Sequence, residues 1–264
     1  MTSGGPRVVG VIGGSGIEGI LEGGAKRSHR VTTPWGAPSG PIEEGEVGGT
    51  RVFFLARHGP GHSIPPHRVN YRANVDALRS LGVDAIVTVS SVGSLREELA
   101  PGTFVLPNQF VDFTKSRPTT FYDGGRVFHV SLADPFCPDL TRHAAEAGRT
   151  VGTPFVEGRT YVCVEGPRFS TRAESAFFRG FADVIGMTLV PEVTLARERA
   201  LCYVCLAMVT DYDVWAERPV ETKEIIAVMK ANADRMGRLL RQLLPTLSAA
   251  PTCRCARALD DASV

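Results

Sequence analysis

The chain alternates short apolar runs with amphipathic stretches, and this alternation predicts most of its secondary structure. Short apolar runs rich in β-branched residues predict strands, whereas apolar positions that recur every three or four residues predict helices. The predicted strands cover residues 7–12, 52–55, 85–89, 101–106, 109–113, 127–130, 161–164, 184–185 and 201–210, and the predicted helices cover 70–81, 138–147, 171–179, 192–199 and 220–244.

The order strand, loop, helix recurs along the chain and predicts an α/β fold. Internal repeats and linker-like segments are absent from the sequence. We therefore expect a single domain over residues 1–247, built on a mixed, twisted β-sheet with helices on both faces. Residues 248–264 turn small and polar, which predicts a loosely ordered C-terminal tail.

One predicted strand carries the clearest functional signal. It begins at Leu201, runs apolar, and ends abruptly in Thr210-Asp211-Tyr212-Asp213. In an open α/β sheet, ligands bind just beyond the carboxyl ends of the strands. We therefore expect Asp211 and Asp213 to contact a substrate. The alternative is a solvated turn that follows a core strand.

Other predicted strands end in groups that suit an anion. Gly13-Gly14-Ser15-Gly16 could wrap a phosphate with backbone N–H groups and the Ser15 hydroxyl. Arg57 could bind phosphate through two guanidinium nitrogen atoms, beside His58. The alternative for His58 is a solvated side chain in a surface loop. Ser90 and Ser91 place hydroxyls at a third strand end. A nicotinamide dinucleotide site is rejected, since the acid expected about 20 residues after the glycines is missing.

Composition narrows the classes of function. The 264 residues include 29 Lys and Arg against 28 Asp and Glu, and the basic residues are scattered along the chain. This distribution predicts neither a nucleic-acid-binding surface nor a membrane-binding surface. The N-terminus lacks a signal-peptide pattern, and no apolar run approaches the length of a bilayer span. We expect a cytoplasmic protein that acts on small molecules.

The six cysteines fit a reducing compartment. Cys163, Cys202 and Cys205 lie in apolar, strand-like runs, where cysteine behaves as a small hydrophobe. Cys202 and Cys205 have the spacing of a metal knuckle, but the only other close pair, Cys253 and Cys255, is a Cys-x-Cys in the tail. The sequence therefore predicts no metal site, and it leaves the redox state of Cys253 and Cys255 open.

Together the motifs resemble a known family. GVIGGSGIEG, LARHGPGH, NYRANVDALRSLGVD, SSVGSLREELAPG, QFVDFTKSRPTTFYDG, DPFCP, EGPRFSTRAE, IGMTLVPE and MVTDYDVW follow one another as in the 5′-deoxy-5′-methylthioadenosine phosphorylases, a trimeric branch of the purine nucleoside phosphorylases. The resemblance extends from residue 8 to about 245. The Cys-x-Cys near the end is similar to a disulfide motif of some thermophilic members.

The resemblance implies roles for individual residues. Phosphate would be held by Ser15, Arg57, His58, Ser90, Ser91 and Thr188. The nucleoside would be held by Phe169 stacked on the purine, Met187 under the ribose, Asp211 and Asp213 at the base, Ile225 and Ile226 along a slot for the methylthio group, and His129 of a neighbouring subunit closing that slot. Relatives specific for 6-oxopurines carry Asn and an apolar residue in place of the two acids.

The implied reaction is phosphorolysis of S-methyl-5′-thioadenosine to adenine and S-methyl-5-thioribose 1-phosphate, a pentosyl transfer in purine and methionine salvage. Such a reaction needs a held anionic nucleophile and a proton for the departing base, which an Asp of raised pKa in a dry site can supply. Phosphate is then a co-substrate, and no cofactor is required. The alternatives are a broader purine nucleoside or methylthioinosine phosphorylase, a nucleoside hydrolase and a nucleoside-binding protein.

Overall fold

The structure is a computed structural model that describes residues 7–14, 17–21, 26–216, 222–247, 251–260 and 262–263. The strands are β1 Val9–Gly13, β2 Arg27–His29, β3 Ile42–Val47, β4 Thr50–Ala56, β5 Ala85–Ser94, β6 Phe104–Phe113, β7 Phe155–Val164, β8 Val184–Gly186 and β9 Cys202–Asp211. The helices are α1 Tyr71–Ser80, α2 Pro138–Thr150, α3 Arg172–Phe178, α4 Glu192–Glu198 and α5 Thr222–Thr246.

The described strands form one mixed sheet in the order β2-β3-β4-β1-β5-β8-β7-β6-β9. Strand β5 also pairs with β9, so the second half of the sheet closes on itself through β5, β8, β7, β6 and β9. Strands β4, β1, β5 and β9 are parallel neighbours in that sequence of pairings. Their carboxyl ends therefore lie at one edge, where the sequence predicts the ligand site.

Helices cover both faces of the sheet, as predicted. Val9 and Val11 of β1 pack into a core cluster with α2 and α5, whereas Ile12 faces the opposite cluster, which contains α1 and α4. The alternation follows from the two-residue period of a strand. The apolar stripe of the long C-terminal helix is buried at Met236, Leu240 and Leu243, so this part of the stripe is core.

Three details differ from the sequence expectations. Strands β2 and β3 at the sheet edge were not predicted, because a polar edge strand lacks a clear apolar alternation. The two strands predicted over 101–106 and 109–113 form the single strand β6, whose pairing with β7 is irregular around Pro107. The strand predicted over 127–130 is wrong: among the described residues, this segment forms no strand, and Phe128 makes an isolated bridge to Ser263.

The C-terminal tail makes specific contacts where it is described. Residues Cys255–Arg257 form a turn of 3-10 helix, and the Cys255 side chain is buried. The Asp139 carboxylate of α2 accepts hydrogen bonds from the Thr252 N–H, the Thr252 hydroxyl and the Cys253 N–H. The small, polar composition of the tail does not predict these contacts. Among the described residues, none of the helices is both long and apolar enough to cross a bilayer.

Candidate active site

The carboxyl ends of the parallel strands meet as predicted. The last residues of β1 and β4, Gly13 and Ala56, are paired, and the Arg57 N–H donates to the Gly13 carbonyl at 2.8 Å. On the other side, β5 and β9 pair until Gly93 lies opposite Asp211, after a register shift at Val92. The anion-suited groups and the acid pair thus lie along one edge of the sheet.

The Asp211 carboxylate is held by its own neighbours. Its Oδ2 accepts from the Thr210 hydroxyl at 2.8 Å, and its Oδ1 accepts from the Asp213 N–H at 2.8 Å. Asp213 itself has a φ of 49°, in the left-handed region that is uncommon for residues other than glycine. The solvated turn considered as the alternative is excluded, since the Asp213 side chain is only 4% exposed.

Both acids have an unusual electrostatic setting. Burial raises the pKa of Asp211 above its ordinary value, more than the Thr210 and Asp213 hydrogen bonds lower it. Burial likewise raises the pKa of Asp213, and the nearby Asp211 charge adds to that rise. The Asp213 Oδ2 is buried, and within the described part of the chain it has no hydrogen-bond partner. A buried carboxyl with a raised pKa and an unused oxygen is a candidate for substrate contact.

Two of the predicted phosphate ligands touch each other. The Ser90 and Thr188 hydroxyls lie 3.0 Å apart, and both side chains are buried. The buried Tyr161 hydroxyl lies where a Cβ on Gly186 would stand, so a larger residue at position 186 would displace that hydroxyl. Ser91 is exposed and points away from this hydroxyl pair, since successive strand side chains face opposite sides.

The Arg57 guanidinium donates hydrogen bonds to several acceptors within the protein. Its Nε donates to the Glu192 carboxylate at 2.9 Å, Nη2 donates to the same carboxylate and to Thr88, and Nη1 donates to the Val89 carbonyl at 3.0 Å. Burial would lower the pKa of Arg57, but Glu192 outweighs burial and raises it. The guanidinium is 2% exposed and already paired with Glu192, so its bidentate contact with phosphate stays a prediction.

His58 follows directly and is also buried. Its Nδ1 lies 2.8 Å from the Ile64 carbonyl, which can only accept, so Nδ1 carries the proton. Burial, followed by the Arg57 charge, lowers the pKa of His58 to about 4. His58 is therefore neutral at pH 7, with Nε2 as a bare acceptor. The His58 and His62 rings are stacked with centroids 4.2 Å apart.

Two of the nucleoside-binding residues implied by the resemblance, Met187 and Phe169, lie in the loops that follow β8 and β7. A Cβ on Gly166 would stand 2.5 Å from the Met187 Sδ and 2.9 Å from Pro66, so the loops after β4, β7 and β8 pack closely together. Phe169 belongs to the same loop as Gly166 and is 40% exposed, and its stacking on the purine stays a prediction.

Of four further implied residues, two lie outside the described residues and two are exposed. Ser15 and the side chain of Ile225 lie outside the described residues. Ile226 is 46% exposed on α5. His129 is exposed beside the tail, where its N–H donates to the Ala262 carbonyl at 2.7 Å.

Sequence reasoning missed several residues that shape the site. Glu192 pairs with Arg57 and accepts from the Tyr203 hydroxyl at 2.8 Å, yet in the sequence it is one more acid on a helix. Thr210 precedes Asp211 directly, and that adjacency was the available signal. Ser175 lies on α3, which contacts the 3-10 helix Asp213–Trp215, and the Thr171 capping box predicts that helix but not the contact.

The geometry defines a class of protein: an α/β enzyme whose strand ends combine buried hydroxyls with a protonatable acid pair. Residues 8–245 match the model of the Phosphorylase superfamily. The chain belongs to that superfamily.

Particular relatives narrow the class. S-methyl-5′-thioadenosine phosphorylase from Pyrococcus furiosus is 54% identical over 251 residues, which cover 95% of this chain and 97% of the relative. The crystal structure of a methylthioadenosine phosphorylase from an antarctic soil metagenomic library has a TM-score of 0.92 at 43% identity, with 98% and 93% coverage of this chain and that chain. A variant of adenosine/methylthioadenosine phosphorylase from Schistosoma mansoni, in complex with methylthioadenosine, has a TM-score of 0.90 at 36% identity, with 96% coverage of both.

Proposed function

We propose that this chain is an S-methyl-5′-thioadenosine phosphorylase, a pentosyltransferase that converts methylthioadenosine and phosphate to adenine and S-methyl-5-thioribose 1-phosphate. The observation that carries the proposal is the buried pair Asp211 and Asp213, whose pKa values are raised by burial at the edge where β5 and β9 end. The named activities of the relatives agree with this choice.

A phosphate oxygen attacks C1′ of the ribose, and the C1′–N9 bond breaks with its electron pair passing to the purine. In our proposal the buried Ser90 and Thr188 hydroxyls hold the phosphate, together with the turn containing Ser15. Because the Ser90 and Thr188 hydroxyls are already positioned by the fold before phosphate binds, they do not need to rearrange during the reaction. Ser91 lies on the solvent-exposed side of β5, and the buried Arg57 orders the start of the loop that holds His58.

The departing purine needs a proton at N7. We assign the proton to Asp211, because burial favours the protonated carboxyl that can donate it. The unpaired Asp213 Oδ2 then accepts a hydrogen bond from the 6-amino group of adenine. Phe169 covers the purine and Met187 the ribose, while Ile225, Ile226 and a partner copy's tail-side segment around His129 enclose the methylthio group.

Phosphate supplies the nucleophile and Asp211 supplies the proton for the purine, so the proposed reaction includes phosphate as a co-substrate and no organic cofactor.

The proposal includes a homotrimer that acts in the cytoplasm. An exposed aromatic patch formed by Phe113, Phe177 and Phe181 supports assembly, since all three rings are in mutual contact and at least 37% exposed. The patch belongs in part to α3, the helix that contacts the 3-10 helix Asp213–Trp215.

Adenine release from methylthioadenosine, measured with and without phosphate, tests the activity. We expect release only with phosphate, and equimolar formation of the sugar 1-phosphate. Equal release without phosphate would identify a hydrolase, and tight binding without release would identify a binding protein. Light scattering of the active enzyme tests the trimer, and an active monomer would refute that part of the proposal.

A further inference from the structure

Four cysteines from three separate segments converge on one point, well away from the carboxyl edge of β9. Cys137 precedes α2, Cys202 begins β9, and Cys253 and Cys255 belong to the tail. Their four sulfur atoms all lie within 4.8 Å of one another. The Cys202 and Cys253 sulfurs are 3.4 Å apart, and all four residues carry free thiols.

We propose that Cys137, Cys202, Cys253 and Cys255 bind a structural zinc ion. Zinc prefers four thiolates in a tetrahedron with Zn–S distances of about 2.3 Å, which places the sulfurs about 3.8 Å apart. The Cys202 and Cys253 sulfurs are 3.4 Å apart and no two of the four sulfurs are more than 4.8 Å apart, so small side-chain movements would reach this tetrahedron. Binding converts four thiols and one Zn²⁺ into a tetrathiolate complex and releases four protons, with no change of oxidation state.

The surroundings suit a negatively charged complex. Cys137 is the residue before the first turn of α2, a helix of 13 residues, and the positive end of the helix dipole favours a thiolate there. Arg254 lies between the two tail cysteines in the sequence, and Arg197 and Arg257 line the adjoining cleft. Three of the four cysteines are buried, so the complex would be shielded from competing ligands.

The backbone around the cysteines is fixed by a second layer of contacts. The Asp139 carboxylate holds the Thr252 and Cys253 N–H groups, and the Cys137 N–H donates to the Tyr203 carbonyl at 2.8 Å, which joins the start of α2 to β9. Such outer contacts orient metal ligands. A cleft of about 690 Å³ opens beside Cys253 and Cys255 and provides a path for the ion.

The ion would anchor a tail that has little apolar surface of its own. Beyond the cysteines, the tail reaches Ala262 and Ser263, which pair with His129 and Phe128. A zinc ion would therefore also hold the segment around His129 in place. The zinc site itself does not depend on the phosphorylase activity, so the two proposals can fail independently.

Metal content of the full-length chain, purified under reducing conditions and dialysed against EDTA, tests the site. We expect one zinc per chain by plasma mass spectrometry, almost none in the double variant Cys253→Ser/Cys255→Ser, and one again in Cys163→Ala, which removes a buried cysteine outside the cluster. Cobalt added to the metal-free chain should give intense thiolate-to-metal charge-transfer bands that the double variant lacks.

A measurement on the unaltered chain covers the case in which the double variant does not fold. An organomercurial titration should release one zinc into a colorimetric chelator. The absence of zinc would overturn the proposal in either of two forms. If only Cys163 and Cys205 react with a thiol reagent in denaturant, the cluster forms disulfides instead; if all six react, the cluster is a set of unligated thiols.

Discussion

Gly93 and Asp211 are in contact across β5 and β9: a Cβ on Gly93 would stand 2.9 Å from the Asp211 Oδ1 and 3.4 Å from the Asp213 Cβ. Gly93 has no positive φ, so the space, and not the backbone conformation, requires glycine. Because residue 93 of β5 has no side chain, Asp211 and Asp213 can lie against the strand at this point.

Gly93→Ala should move the Asp211 carboxylate and lower kcat/KM for methylthioadenosine by about tenfold to a hundredfold, because small displacements of reacting groups cost rates of that order. The phosphate KM should change little. Gly124→Ala is the matched control, since a Cβ there meets nothing within 4 Å. Equal kinetics for the two variants would show that the position of Asp211 is unimportant.

Asp211→Asn combined with Asp213→Val should cut activity on methylthioadenosine and raise relative activity on inosine or methylthioinosine. An Asn N–H can face a 6-oxo group, whereas two acceptors facing each other cost about 1–3 kcal/mol, or roughly five-fold to 150-fold in preference. The ratio of kcat/KM values for the two substrates measures the change. A folded double variant that keeps the parent's adenine preference would contradict our assignment of the base readers.

The same acids predict a pH dependence of activity. Because burial raises the pKa of Asp211, the parent should lose activity as the pH rises through that value and the donating proton is lost. Asp211→Asn has no such proton, so its residual activity should decline less on the alkaline side. Rate profiles of the two proteins at saturating phosphate provide the comparison, and identical alkaline limbs would exclude Asp211 as the donor.

Arg57→Ala should destabilise the fold by about 3–5 kcal/mol, because it leaves the Glu192 carboxylate buried and unpaired. Arg57→Met with Glu192→Gln removes both charges and should recover much of that loss in urea unfolding. The phosphate KM of this folded double variant then separates the two possible roles of Arg57. A large rise at near-parent stability would favour phosphate binding, and an Arg57→Ala variant as stable as the parent would contradict the ion-pair account.

His58 should make folding sensitive to acid. Its pKa is about 4 in the folded chain against 6.5 ordinarily, so the unfolded chain binds the extra proton between these values. The His58 contribution to stability is therefore complete above pH 6.5 and is lost as the pH falls toward 4. His58→Asn removes this titration, and its midpoint of unfolding should fall less than the parent's between pH 6.5 and 4.5. Parallel curves would show that His58 titrates normally.

The sequence by itself determined the fold class and the acid pair. Buried strands such as β5 and β9 consist of nearly continuous apolar runs in the sequence. The polar residues that end such runs lie at the edge where the parallel strands end. Ser90 and Asp211 could therefore be predicted as neighbours of a ligand from local pattern alone. Edge strands such as β2 could not, because half-exposed polar residues have no distinctive period.

Only the tertiary structure decided the partners of those residues. Arg57 and Glu192 are 135 positions apart, and their pairing depends on the packing of α4 against the sheet, which no local pattern encodes. The cysteines make the same point: spacing favours Cys202 with Cys205, but a strand turns such residues to opposite faces, and Cys202 instead meets Cys137, Cys253 and Cys255. Spacing describes neighbours along the chain, whereas a binding site is formed by side chains that the fold brings together.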